Sequence, residues 1–88
     1  MLKTATLLLA TCVSTTALAS ANCPKHPKEQ WLPQAEAKAR IEAQGYAIKK
    51  FKVDGQCYEI YGTNKEGKKV EIYFDTKTLE VVKAEVEH

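Results

Sequence analysis

Two glycine-bearing turns, Asp54-Gly55 and Asn64-Lys65-Glu66-Gly67, stand between runs of β-branched and aromatic residues. Both are hairpin signals, so they predict an antiparallel meander with strands over 46–53, 56–62 and 68–75. A turn at Thr76-Lys77-Thr78 leads to a fourth strand over 80–86. Loop length sets register. A two-residue loop at 54–55 places Val53 opposite Gln56, Phe51 opposite Tyr58 and Lys49 opposite Ile60. The second turn sets Asn64 against Lys68, so that Ile60 faces Ile72 and Tyr58 faces Phe74. One face then collects Phe51, Val53, Tyr58, Ile60, Val70, Ile72 and Phe74. Val82, Ala84 and Val86 extend it if the last turn holds five residues, with Val81 pointing outward. The opposite face sets Lys50 across from Glu59, Tyr61 across from Glu71 and Glu59 across from Tyr73. A polar face of this kind is expected to meet water.

The apolar face needs a cover. The stretch from Gln34 to Gln44 is built from Ala, Glu, Lys, Arg, Gln and Ile. Its apolar residues alternate, which alone suggests a strand, but its composition is that of a helix. Glu36 and Arg40 stand four apart in the favourable order, Pro33 suits the first helical position, and Gly45 supplies the stop. The expectation is a helix over 33–44 with Ala37 and Ile41 buried against the sheet. The predicted fold is α+β: one N-terminal helix on one face of a four-stranded antiparallel meander, with strands one and four at the edges.

The chain has 88 residues, room for one small domain. Lys3, an uncharged apolar stretch from Ala5 to Leu18, and small residues at Ala17, Ala19 and Ala21 read as an export signal over 1–21. Cleavage is expected after Ala21, with Ala19 as the other candidate. The stretch is shorter than the roughly 20 residues that span a bilayer, so no membrane insertion is expected once it is removed. Cleavage would remove Lys3 and Cys12 and leave 12 basic residues against 11 acidic. Interspersed charges of near-zero sum make a poor nucleic-acid binder. The two remaining cysteines, Cys23 and Cys57, would meet an oxidising compartment, periplasmic or external, and are expected to pair. The bridge would close a loop of about 35 residues, worth roughly 3–4 kcal/mol in the chain-entropy model. Residues 22–32, with Pro24 and Pro27, are expected to form an extended arm whose Trp31 and Leu32 pack on the domain formed by 33–88.

From Trp31 onward the chain resembles the PepSY family, in its short exported form. The likeness rests on the alanine-rich charged helix followed by Gly45-Tyr46, on Asp54-Gly55-Gln56-Cys57-Tyr58-Glu59-Ile60, and on the turn ending at Gly67. Val70-Glu71-Ile72-Tyr73-Phe74-Asp75 completes it. Where the family has Thr-Gly-Glu at its last turn, this chain has Thr78-Leu79-Glu80. A left-handed residue without that glycine costs about 1 kcal/mol, so a differently built turn is expected. The resemblance implies a propeptide-like role in restraining peptidases, and it brings no catalytic residues.

The residues themselves point the same way. After cleavage no serine remains, the cysteines are committed to each other, and the two histidines, His26 and His88, lie in the arm and at the end of the chain. Neither a serine nor a thiolate nucleophile is available. Glu59 and Glu71 read as solvated strand residues rather than an acid/base pair. Cys23-Pro24-Lys25-His26 offers too few ligands for a closed zinc site, so neither metal nor haem is expected. What remains is binding. The expected surface is Tyr61 and Tyr73 with Glu59, Glu71 and Lys50, and the fourth strand's edge could accept an added strand. The expectation is a monomeric, non-catalytic regulatory module for a protein or peptide of the cell envelope. The alternative is a redox- or metal-linked accessory protein that uses Cys23 and Cys57.

Overall fold

The structure, a computed structural model, describes residues 20–87. The expected export signal, apart from Ser20 and Ala21, and the terminal His88 lie outside the described residues. Helix α1, Gln34–Ala43, is followed by four strands: β1 Ala47–Asp54, β2 Cys57–Thr63, β3 Lys69–Asp75 and β4 Val81–Val86. The strands form one antiparallel sheet in the order β1-β2-β3-β4. The fold is α+β, as the turns and the helix composition predicted.

Pro33 is not the first helical residue but the residue before it. Its backbone is extended, with φ −56° and ψ 143°, and its carbonyl accepts the Ala37 N–H at 2.9 Å. Its missing N–H costs nothing at either position. Glu36 pairs with Arg40. Ala37 and Ile41, one turn apart, are wholly buried. They share a core with Tyr58, Ile60, Val70, Ile72, Phe74 and Leu79, against which Trp31, Leu32, Tyr46, Ile48 and Phe51 pack. Fully burying a side chain such as Ile41 is worth about 1.5–3 kcal/mol.

The second hairpin has the expected register, Tyr58 opposite Phe74 and Ile60 opposite Ile72. Asn64 builds its turn: the side-chain oxygen accepts the N–H groups of Glu66 and Lys68, each at 3.0 Å. The first hairpin differs from expectation. Asp54 pairs with Cys57, Val53 with Tyr58 and Phe51 with Ile60, so Lys52 rather than Lys50 faces Glu59, and Lys50 faces Tyr61. The two loop residues are Gly55 and Gln56. Gly55, at φ 62°, holds the first loop position, where a type II′ turn takes glycine. The shift leaves the face of each residue unchanged, because side chains alternate with a period of two. The apolar face therefore survives, although Val53 at its margin is 40% exposed.

Lys49 does not face Ile60. The ladder slips between Ile48 and Lys50, and this bulge turns Ile48 toward the core. Gly62 permits it: a Cβ there would stand 2.0 Å from the Ala47 carbonyl oxygen.

At the last turn Leu79 adopts φ 64°. The leucine adopts the left-handed backbone that it was expected to avoid, and its side chain is buried in the core. The apolar burial offsets the local backbone cost. β4 sets Ala84 opposite Ile72 and Val86 opposite Val70, then slips at Phe74, which meets Val81. It extends the apolar face but is not covered: Val81, Val82 and Val86 are all exposed.

Candidate functional site

The face away from the helix is a checkerboard. Along β2, Cys57, Glu59 and Tyr61 point to it. Opposite them on β3 stand Asp75, Tyr73 and Glu71, with Lys52 and Lys50 flanking from β1 and Lys83 and Glu85 from β4. Two rows result: Lys52-Glu59-Tyr73-Lys83, and Lys50-Tyr61-Glu71-Glu85. All five residues expected to form the partner surface are therefore neighbours, but they are not all presented to solvent. Glu59 and Tyr73 are each 1% exposed, against 37% for Tyr61. The expectation that Glu59 lies in water on an open face is corrected.

The amino-terminal arm runs over this side. Cys23 is bonded to Cys57, S–S 2.06 Å and Cα–Cα 5.4 Å. The Cys57 sulfur lies 3.5 Å from the Ala21 carbonyl oxygen, and Lys83 Nζ donates to the Ser20 carbonyl at 3.3 Å. His26 Nε2 reaches both Asp75 carboxylate oxygens at 3.1 Å. Beyond His26 the chain passes round the sheet end to the helix side. A 3-10 turn over Lys28–Gln30, opened by Pro27, replaces a purely extended course. Trp31 Nε1 donates to the His26 carbonyl at 2.9 Å, and the Trp31 ring meets Tyr58 edge-on at 5.5 Å. The Leu32 N–H donates to the Thr76 carbonyl, and its carbonyl accepts the Tyr58 hydroxyl.

The charges follow from this burial. Desolvation raises the Glu59 carboxyl, and the adjacent Glu71 raises it further against the pull of the Tyr61 and Tyr73 hydroxyls. Glu71 is lowered, first by its hydrogen bond with Glu59, then by Tyr73, Tyr61 and the Lys83 cation. The pair favours a neutral Glu59 beside an ionised Glu71. Tyr73 donates its hydroxyl to Glu71 at 2.9 Å and is itself raised, by burial first. The two glutamates hold the Tyr61 hydroxyl up at about 12, so both tyrosines stay protonated donors. Glu59 Oε2 is buried without a hydrogen-bond partner among the described residues, which a neutral carboxyl tolerates better than an ionised one. For Asp75 burial pushes the carboxyl up. The N–H groups of Thr78 and Lys77 and the His26 ring outweigh burial and hold it below its ordinary value.

The face meets solvent at Tyr61 and its flanking lysines. Lys50 Nζ and Lys52 Nζ lie 5.7 and 6.0 Å from the Tyr61 ring centroid. A groove of about 540 Å³ opens beside it, toward Ile48, Gly62, Lys69 and Val70. Among the described residues no three His, Cys, Asp or Glu side chains gather where they could hold a metal ion, and no helix is long and apolar enough to cross a membrane. The His26–Asp75 contact was not anticipated. Its one trace in the sequence is Asp75 heading a Thr-Lys-Thr turn, where an aspartate accepts the following N–H groups.

Among the described residues, one α-helix lies on a four-stranded meander whose polar side is strapped by the amino-terminal arm, the architecture of a small α+β domain. The model of the peptidase propeptide and YPEB domain family, PepSY_2, matches residues 3–85, nearly the whole chain, and the protein belongs to that family. The matched span begins within the segment read as an export signal. Searches of curated proteins and of solved structures found no match.

Proposed function

We propose that the exported chain is a non-catalytic regulatory module of the cell envelope that binds a peptidase and restrains it. Membership of a peptidase-propeptide family carries this reading. The exposed Tyr61, its two lysines and the adjoining groove give it a surface. An aromatic ring with a polar tip beside an apolar groove is the kind of contact that anchors a peptide partner. Glu59 and Tyr73 support that surface from below. The Cys23–Cys57 bond acts as a staple that ties the arm to β2.

The test is a titration of the exported protein into a thermolysin-like metallopeptidase hydrolysing casein. The rate is expected to fall with added protein. Y61D, which places a charge on an exposed position, is expected to weaken the effect at least tenfold, about 1.4 kcal/mol, while a cooperative unfolding transition, lowered by the like charge of Glu71 opposite, shows the variant to be folded. An unaltered rate at large excess, or a Y61D variant as potent as the parent, would refute the reading.

A further inference from the structure

We propose that the free edge of β4 pairs antiparallel with the same edge of a second copy of this chain, with Ala84 on the two-fold axis. The backbone is the first reason. The Glu87 N–H donates to the Lys69 carbonyl at 2.8 Å, which turns that residue toward β3. Backbone groups alternate along a strand, so Lys83 and Glu85 also bond inward while Ala84 and Val86 present N–H and C=O outward. With Ala84 opposite Ala84 of the second copy, the two residues exchange both hydrogen bonds.

The side chains choose the register. A two-fold axis normal to the sheet keeps each residue on its own face, so the residue on the axis meets itself. Lys83 or Glu85 there would oppose a like charge, which is destabilising. Ala84 on the axis sets Lys83 opposite Glu85 of the second copy, twice over. Both groups are accessible, with side chains 37% and 54% exposed, and Lys83 Nζ already stands 3.6 Å from its own Glu85. The charges that would blunt this edge against a foreign strand become complementary in this one arrangement.

The opposite face agrees. Val82 and Val86, 38% and 39% exposed, lie on the helix side, where the core leaves β4 uncovered. In the same register Val82 meets Val86 of the second copy on either side of the paired alanines. The apolar stripe that a lone domain leaves in water is then covered by its own symmetry mate, in an isologous contact. The contact is small, so the pair is reversible.

Sedimentation equilibrium of the exported protein tests this independently of any peptidase. A concentration-dependent monomer–dimer equilibrium is expected. K83E and E85K each place two like-charged pairs at the contact, and each is expected to weaken the dimer at least about tenfold. Mixing the two variants in equal amounts restores both opposite-charge pairs, so the mixture is expected to dimerise although neither variant does alone. Unchanged melting temperatures show that the single variants are folded. A parent protein monomeric up to about 1 mM, single variants that dimerise like the parent, or a mixture that stays monomeric would overturn the proposal.

Discussion

His26 Nε2 stands 3.1 Å from both carboxylate oxygens of Asp75, a residue 49 positions away that is 4% exposed. This contact fastens the arm to the β3–β4 turn. H26A removes a hydrogen bond to a charged group, worth about 1.5–3 kcal/mol, and is expected to lower stability by roughly that amount in a denaturant titration.

Asp75 also sets an acid limit. Its carboxyl titrates below its ordinary value of 3.8 when folded. Its stabilisation is therefore complete above the unfolded value and is lost as pH falls through the lower folded one. Melting temperatures measured from neutral pH down to about 2 are expected to drop in that window. D75N is expected to be less stable at neutral pH and to show a flatter acid limb. A D75N curve parallel to the parent's would refute the assignment.

Glu59 carries the opposite sign. Its folded carboxyl is raised above the ordinary 4.5, so the native state keeps a proton that the unfolded chain has released. Stability falls as pH rises through that interval. E59Q supplies a permanent uncharged donor beside Glu71 and is expected to stabilise the protein by roughly 1 kcal/mol at neutral pH. The gain should vanish below the ordinary carboxylate range. Chemical denaturation at the two pH values measures it.

Leu79 combines a left-handed backbone with a buried side chain. L79A loses the side chain and keeps the strain, while L79G loses the side chain and relieves about 1 kcal/mol of strain. Both are expected to destabilise, L79A by about 2–5 kcal/mol and L79G by less. This reverses the usual order of alanine and glycine, and equilibrium unfolding of the two variants reads it.

Gly62 and Gly55 separate crowding from backbone conformation. A Cβ at Gly62 meets the Ala47 carbonyl at 2.0 Å, whereas at Gly55 it meets nothing within 4 Å. G55A is expected to cost about 1 kcal/mol, from its positive φ alone. G62A forces two backbones apart and is expected to cost clearly more, with loss of protection of the β1–β2 amides in hydrogen exchange.

How far the fold was legible depended on how locally each feature is encoded. The β2–β3 register was readable because Asn64 and Gly67 specify their turn by themselves. The β1–β2 register was not, because one glycine next to Asp54 serves either the second position of a type I′ loop or the first of a II′ loop. The bulge had left a trace: Ile48 and Phe51 are three apart where strict alternation would make them two or four. Leu79 was expected to avoid the left-handed region, but burial outweighs the backbone cost there. At the candidate site the membership of the checkerboard was legible from strand parity. The burial of Glu59 and Tyr73 was not, and neither was the course of the arm, which is held by contacts spanning 34 and 49 positions. Such contacts leave no periodic mark in a sequence.

The bond between Cys23 and Cys57 is also a mechanical shortcut. Tension applied at the amino end enters β2 directly through sulfur, and β2 is an interior strand hydrogen-bonded on both sides. The 33 residues between the cysteines, which include α1 and β1, are bypassed. The helix is spared the pull, and the load falls on the ladders that β2 shares with its two neighbours.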